Sequence, residues 1–138
     1  AALLTIAPLV RERGFVASRG DNLEALGTCD LVASTALHEF FGVAFAEAMA
    51  AGCAPLALDR VNYPALIERY RGGVPGAGLA SGADDLALRL VALAGATGAL
   101  RAPAQRARAR EAVLHLDAAA AVHELDAAVD RVHAGRNA

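Results

Sequence analysis

Two compact apolar runs, Asp30-Leu31-Val32-Ala33-Ser34 and Cys53-Ala54-Pro55-Leu56-Ala57-Leu58, bracket a third from Val43 to Ala51, with Gly42 before it and Gly52 behind it. The outer runs have the pattern of strands buried on both faces in a parallel sheet. The middle run is a helix that Gly52 stops. Strand, helix and strand in this order imply a βαβ unit, with a right-handed crossover and helices covering the sheet.

The same reading extends to the flanks. Residues 14–17 read as a short strand, and Asp21 caps a helix running to about Leu26, where Gly27 ends it. Pro64 opens a short helix through about Arg69, residues 71–76 form a loop, and a small strand falls around residues 77–80. A helix follows from about Ala83 to Leu93. Beyond Gly98 the signals are helical only, Pro103 to Leu116 and Ala118 to Val132, giving a helical tail over residues 98–138. The opening run Leu3–Val10 stays open between a helix tail and a strand. The expected fold is α/β, a Rossmann-like parallel sheet in one domain spanning residues 1–138. About four strands are visible, fewer than a doubly wound sheet needs, so its first strands are expected upstream.

Composition narrows the class of partner. A net charge of -2 over 138 residues does not suit a chain whose main task is to neutralise nucleic-acid phosphates. All 13 basic residues are Arg, which fits a genomic base bias and carries no functional weight. Cys29 and Cys53 have no CxxC partner and no nearby His, so both are expected to be reduced core thiols of a cytoplasmic protein. Gly, Pro or Glu interrupts each apolar stretch well before it reaches bilayer length, and no membrane partner is expected. The chain begins at Ala1 and its only Met is Met49, so a piece of a longer protein is expected.

The chemistry concentrates where the first bracketing strand meets the helix, the place where open α/β sheets bind ligands. Gly42 allows close backbone approach. The free N–H groups of the first turn, around Gly42, Val43 and on to Phe45, present the positive end of the helix dipole to an anion, and a diphosphate is the natural guest. Glu47 is a lone carboxylate on a helix otherwise apolar and expected to be buried nearly all round. It needs solvent, a donor or a ligand, and it suits a ribose cis-diol. Glu39 is placed for whatever lies beyond the phosphates. His38 reads equally as a sugar ligand or a loop residue. Arg60 reads as a phosphate contact or as the ion-pair partner of Asp59 or Glu68. Phe40, Phe41 and Phe45 read as core and loop anchors, and the Arg residues at 101, 106, 108 and 110 as a solvated helix face rather than a tRNA contact. No metal site is visible.

Glu39 and Glu47, separated by seven residues with Gly42 among them, resemble the Glu-x7-Glu motif of the retaining GT-B glycosyltransferases, and the likeness runs from about Gly14 to Leu93. Within that family, Ser34-Thr35-Ala36-Leu37-His38-Glu39-Phe40-Phe41-Gly42-Val43-Ala44, Gly52-Cys53-Ala54-Pro55-Leu56 and Asp59-Arg60-Val61-Asn62-Tyr63-Pro64 look like the tRNA-queuosine α-mannosyltransferases. The resemblance implies the carboxyl-terminal half of a GT-B fold. It also implies Glu39 on the donor sugar, Glu47 on the nucleotide ribose, and the Gly42–Val43 backbone on the diphosphate. Ala65 departs from the pattern, since Glu usually follows Tyr-Pro there, and a contact from that Glu would be missing.

The expected function is thus retaining transfer of a sugar from a nucleotide-sugar substrate, GDP-mannose by the resemblance, with no cofactor. The acceptor implied is queuosine in tRNA, bound through an amino-terminal domain outside this chain, which alone would catalyse little. A non-catalytic nucleotide-binding module and a GT-B enzyme acting on a lipid or small-molecule acceptor are the alternatives.

Overall fold

In a computed structural model, residues 10, 14 and 16–116 are described. Helix α1 spans Arg19–Thr28, and its cap is Ser18, whose hydroxyl accepts the Asp21 N–H at 3.4 Å. It therefore begins before Asp21 and passes through Gly27. Val16 and Ala17 lie outside any strand, contrary to the reading of residues 14–17, because the chain there is already entering the Ser18 cap.

The central unit forms as expected. Strand β1 is Leu31–Ser34, helix α2 is Val43–Ala51, and strand β2 is Ala54–Leu58. Gly42 and Gly52 bound α2 at φ 79° and φ 103°, a left-handed backbone that a side chain would strain. Gly42 is also closed in, since a Cβ on it would stand 2.7 Å from Leu66 Cδ1. Strand β3, Gly78–Ala80, completes a parallel sheet of order β1-β2-β3, in which Val32 lies opposite Pro55 and Leu58 opposite Ala80. Among the described residues there are three strands, one fewer than counted from the sequence.

Burial follows from this order. Every residue of β2 is buried, so its alternating side chains are covered on both faces, whereas Ala33 on edge strand β1 is exposed. The core runs through Phe45, Met49, Leu56, Tyr63, Leu66 and Leu93. Helix α3, Tyr63–Ile67, stops short of Arg69. Helix α4, Ala83–Ala94, is pinned at its start by Asp85, which accepts the Ser81 N–H at 2.8 Å. A short helix α5, Thr97–Arg101, precedes α6, Pro103–Val113, which ends in a 3-10 turn over Leu114–Leu116. The helix expected over Ala118–Val132 lies outside the described residues.

The Arg cluster is the clearest departure in this half. Arg106, only 18% exposed, donates to the carbonyls of Gly27, Cys29 and Ala51 at 2.9, 3.1 and 2.9 Å. Arg101 grips both carboxylate oxygens of Asp30, and Arg110 reaches Ala51 O at 3.3 Å. Arg106 ties α6 to the ends of α1 and α2 and is mostly covered, so it departs from the solvated face expected of the cluster, whereas Arg101 and Arg110 remain exposed as expected while bonding Asp30 and Ala51. The two thiols also diverge. Cys53 is buried, while Cys29 is exposed and is not a core residue.

Candidate functional site at the amino terminus of α2

The loop from Ser34 to Gly42 leaves β1 at the carboxyl end of the sheet and delivers the chain into α2. The first amide of this helix region to bond inside it is Ala46 N–H, which donates to Gly42 O at 2.9 Å. The amides of Val43, Ala44 and Phe45 precede it, as the first turn of any helix requires, and no side chain caps the end. Gly42 N–H, expected to join them, is instead held by Glu39 Oε1 at 3.0 Å. The Glu39 carboxylate thus sits against the positive pole of α2, where its charge is favoured.

Helix α2 is not buried nearly all round. Phe45, Ala48 and Met49 face the core, whereas Val43, Ala44 and Ala50 are exposed. Glu47 stands one turn from Val43, on the open side, with its side chain 31% exposed. Its Oε1 lies 3.7 Å from Arg19 Nη2, but that guanidinium is 83% exposed, so the pair is screened and weak. Glu47, Val43 and Phe41 line a cavity of about 600 Å³ together with Arg19, Arg110 of α6 and Leu116 of the following 3-10 turn. The lining is largely apolar, with one carboxylate and two guanidinium groups set into it.

The remaining candidates stand apart from that cavity. His38 and Glu39 are exposed in the loop. Arg60 is exposed beyond β2 and pairs with neither Asp59 nor Glu68. Phe40 is fully exposed and Phe41 is 47% exposed, so only Phe45 among the three aromatics is the anchor that the sequence suggested. The ring of Phe45 packs on that of Tyr63, with centroids 4.9 Å apart. Among the described residues no group of three or more His, Cys, Asp or Glu side chains could hold a metal ion, and no helix is long and apolar enough to cross a membrane.

Sequence reasoning did not find the residues that brace the loop. Tyr63 OH lies 2.6 Å from Ser34 Oγ, which also accepts Ala36 N–H at 3.2 Å, and Asn62 Nδ2 donates to Phe41 O at 3.1 Å. Asn62-Tyr63 follows β2 and the loop follows β1, and adjacent parallel strands bring the two segments together. Nor did it find Arg19, Arg110 and Leu116, whose place at the cavity depends on helix packing.

A stretch of 51 residues, 37% of the chain, is 50% identical to a tRNA-queuosine alpha-mannosyltransferase of Drosophila melanogaster. The match covers 14% of the length of that relative. No family model matches the chain, and no solved structure matches it.

Proposed function

We propose that the chain is the donor-binding part of a retaining glycosyltransferase of the GT-B type. The observation that carries this reading is the shared opening of Val43 and Glu47, which brings the bare amino terminus of α2 and a half-exposed carboxylate to one largely apolar cavity. A nucleoside diphosphate fits that chemistry. Its phosphates accept the amides of Val43, Ala44 and Phe45, and its ribose hydroxyls donate to Glu47. The transferred sugar then extends toward Glu39 and His38 in the loop, with Arg60 near the phosphates. Departure of the diphosphate leaves negative charge at the helix pole, where fixed amide dipoles stabilise it without reorganisation. The similarity to a mannosyltransferase over 51 residues supports a mannosyl donor, GDP-mannose, and queuosine-bearing tRNA as acceptor. The acceptor is assigned to an amino-terminal domain.

Calorimetric titration of the chain with GDP-mannose and UDP-glucose tests the donor. GDP-mannose is expected to bind more tightly, and equal or tighter binding of UDP-glucose overturns the mannosyl assignment. Glu47→Gln is expected to weaken binding by about 1.5–3 kcal/mol, the scale of hydrogen bonds to a charged group. Its melting temperature should barely move, because the Arg19 pair is loose and exposed. Unchanged affinity in that variant removes Glu47 from the ribose.

A further inference from the structure

Val61 has φ 50°, the only non-glycine residue with positive φ among those described. A β-branched side chain in the left-handed region is a steric outlier. The surrounding turn explains how it arises. Tyr63 N–H donates to Arg60 O at 3.3 Å, closing a turn with Val61 and Asn62 at its centre, and Asn62 has φ -96° and ψ 0°. A positive φ followed by these values matches a type II′ turn, whose first central position normally takes Gly. Val61 is also 44% exposed, so a tightly packed pocket does not account for its backbone.

What the turn does is visible immediately downstream. It aims Asn62 Nδ2 at the carbonyl of Phe41, at 3.1 Å, and lays Tyr63 beneath the loop. There Tyr63 OH meets Ser34 Oγ at 2.6 Å, and its ring lies 3.8 Å from the position a Cβ on Gly42 would take. The loop from Ser34 to Gly42 is therefore held at both ends by two consecutive residues of a neighbouring segment. Strain of this kind persists only where the surroundings over-determine it, and it accumulates at sites whose geometry matters.

We propose that Asn62 and Tyr63 are positioning residues for the Glu39–Gly42 loop, set in place by the strained turn at Val61. They fix the carbonyl of Phe41 and the hydroxyl of Ser34, so that Glu39 and the first amides of α2 keep one arrangement whether or not a nucleotide is present. The consequence for binding rests on the donor-site reading above; the consequence for the loop does not.

The test separates stability from loop order. Val61→Gly relieves the backbone strain and is expected to leave the melting temperature of the chain unchanged or higher. Gly is also the residue that this turn normally takes, so the hold of Asn62 and Tyr63 should persist and amide hydrogen exchange at Gly42 should stay unchanged. Asn62→Ala should speed exchange of that amide by about three- to tenfold, the size of a net hydrogen bond, without unfolding the chain, and Tyr63→Phe, which keeps the ring, should do so too. GDP-mannose affinity should fall in parallel with the exchange rate. Gly42 exchange unchanged in both Asn62→Ala and Tyr63→Phe overturns the proposal. Failure of the unmodified chain to bind GDP-mannose overturns the donor reading instead, and the exchange measurement still decides the role of Asn62 and Tyr63.

Discussion

Glu39 Oε1 accepts the Gly42 N–H at 3.0 Å, closing the loop on itself in front of α2. The carboxylate that the motif assigns to a donor sugar is therefore also a local brace. Glu39→Gln keeps an acceptor at that distance and should lose only the charge–dipole part, about 0.3–1 kcal/mol. Glu39→Ala removes the bond altogether and should cost about 0.5–2 kcal/mol, as loss of a helix cap does. Urea unfolding of the two variants side by side gives the ordering, and equal losses would mean that the bond contributes nothing.

Arg106 makes three hydrogen bonds to carbonyls at the carboxyl ends of α1 and α2 while remaining mostly covered. Arg106→Ala should destabilise the chain by about 2–4 kcal/mol, because charged hydrogen bonds are lost and the carbonyls are left without their donor. Lys cannot present the same planar fork, so Arg106→Lys should recover less than half of that loss. Thermal melts of both variants check the order, and full recovery by Lys would show that charge alone matters.

Burial pushes the Cys53 thiol up from 9.0 to about 11, with exposed Cys29 and Asp30 adding to the shift and Arg106 opposing it. A maleimide or disulfide reagent at pH 8 should therefore modify Cys29 quickly and Cys53 only on unfolding. The raised value also sets a sign. The neutral thiol is favoured in the folded state, so its contribution is whole below about pH 9 and is lost as pH rises toward about 11. Cys53→Ala should flatten that alkaline decline, measured as the urea midpoint from pH 8 to 11.

The unit from Leu31 to Leu58 was legible because its signals are local: apolar runs of strand length and a glycine at each end of a helix. Both glycines take the left-handed backbone that made them punctuation. The error in this unit came from treating the α2 sequence as evidence of burial. Alanine suits an exposed helix face as well as a covered one, and Val43 and Ala50 stand open. Residues 14–17 failed for a related reason, since a short apolar run before a capping Ser has no fixed period to distinguish a strand from a lead-in. The Arg residues at 101 and 106 looked like a charged face because their partners are 55 to 79 residues away in sequence. Asn62 and Tyr63 were visible as a motif, but their hold on the loop comes from strand adjacency. What the candidate residues contact was readable only one helix at a time.

The fork of Arg106 bears on more than anchoring. Together with Arg110 it brings positive charge to Ala51 O, at the negative pole of α2. That nine-residue helix is about 14 Å long, short enough for the compensation at one pole to be felt at the other. With its tail neutralised, α2 projects a field of one sign from its head, outward past Val43, where among the described residues the Glu39 carboxylate accepts the Gly42 N–H. The helix behaves less as a dipole than as a partial cation embedded at the end of the sheet, and an arriving anion competes with the Glu39 carboxylate for its potential.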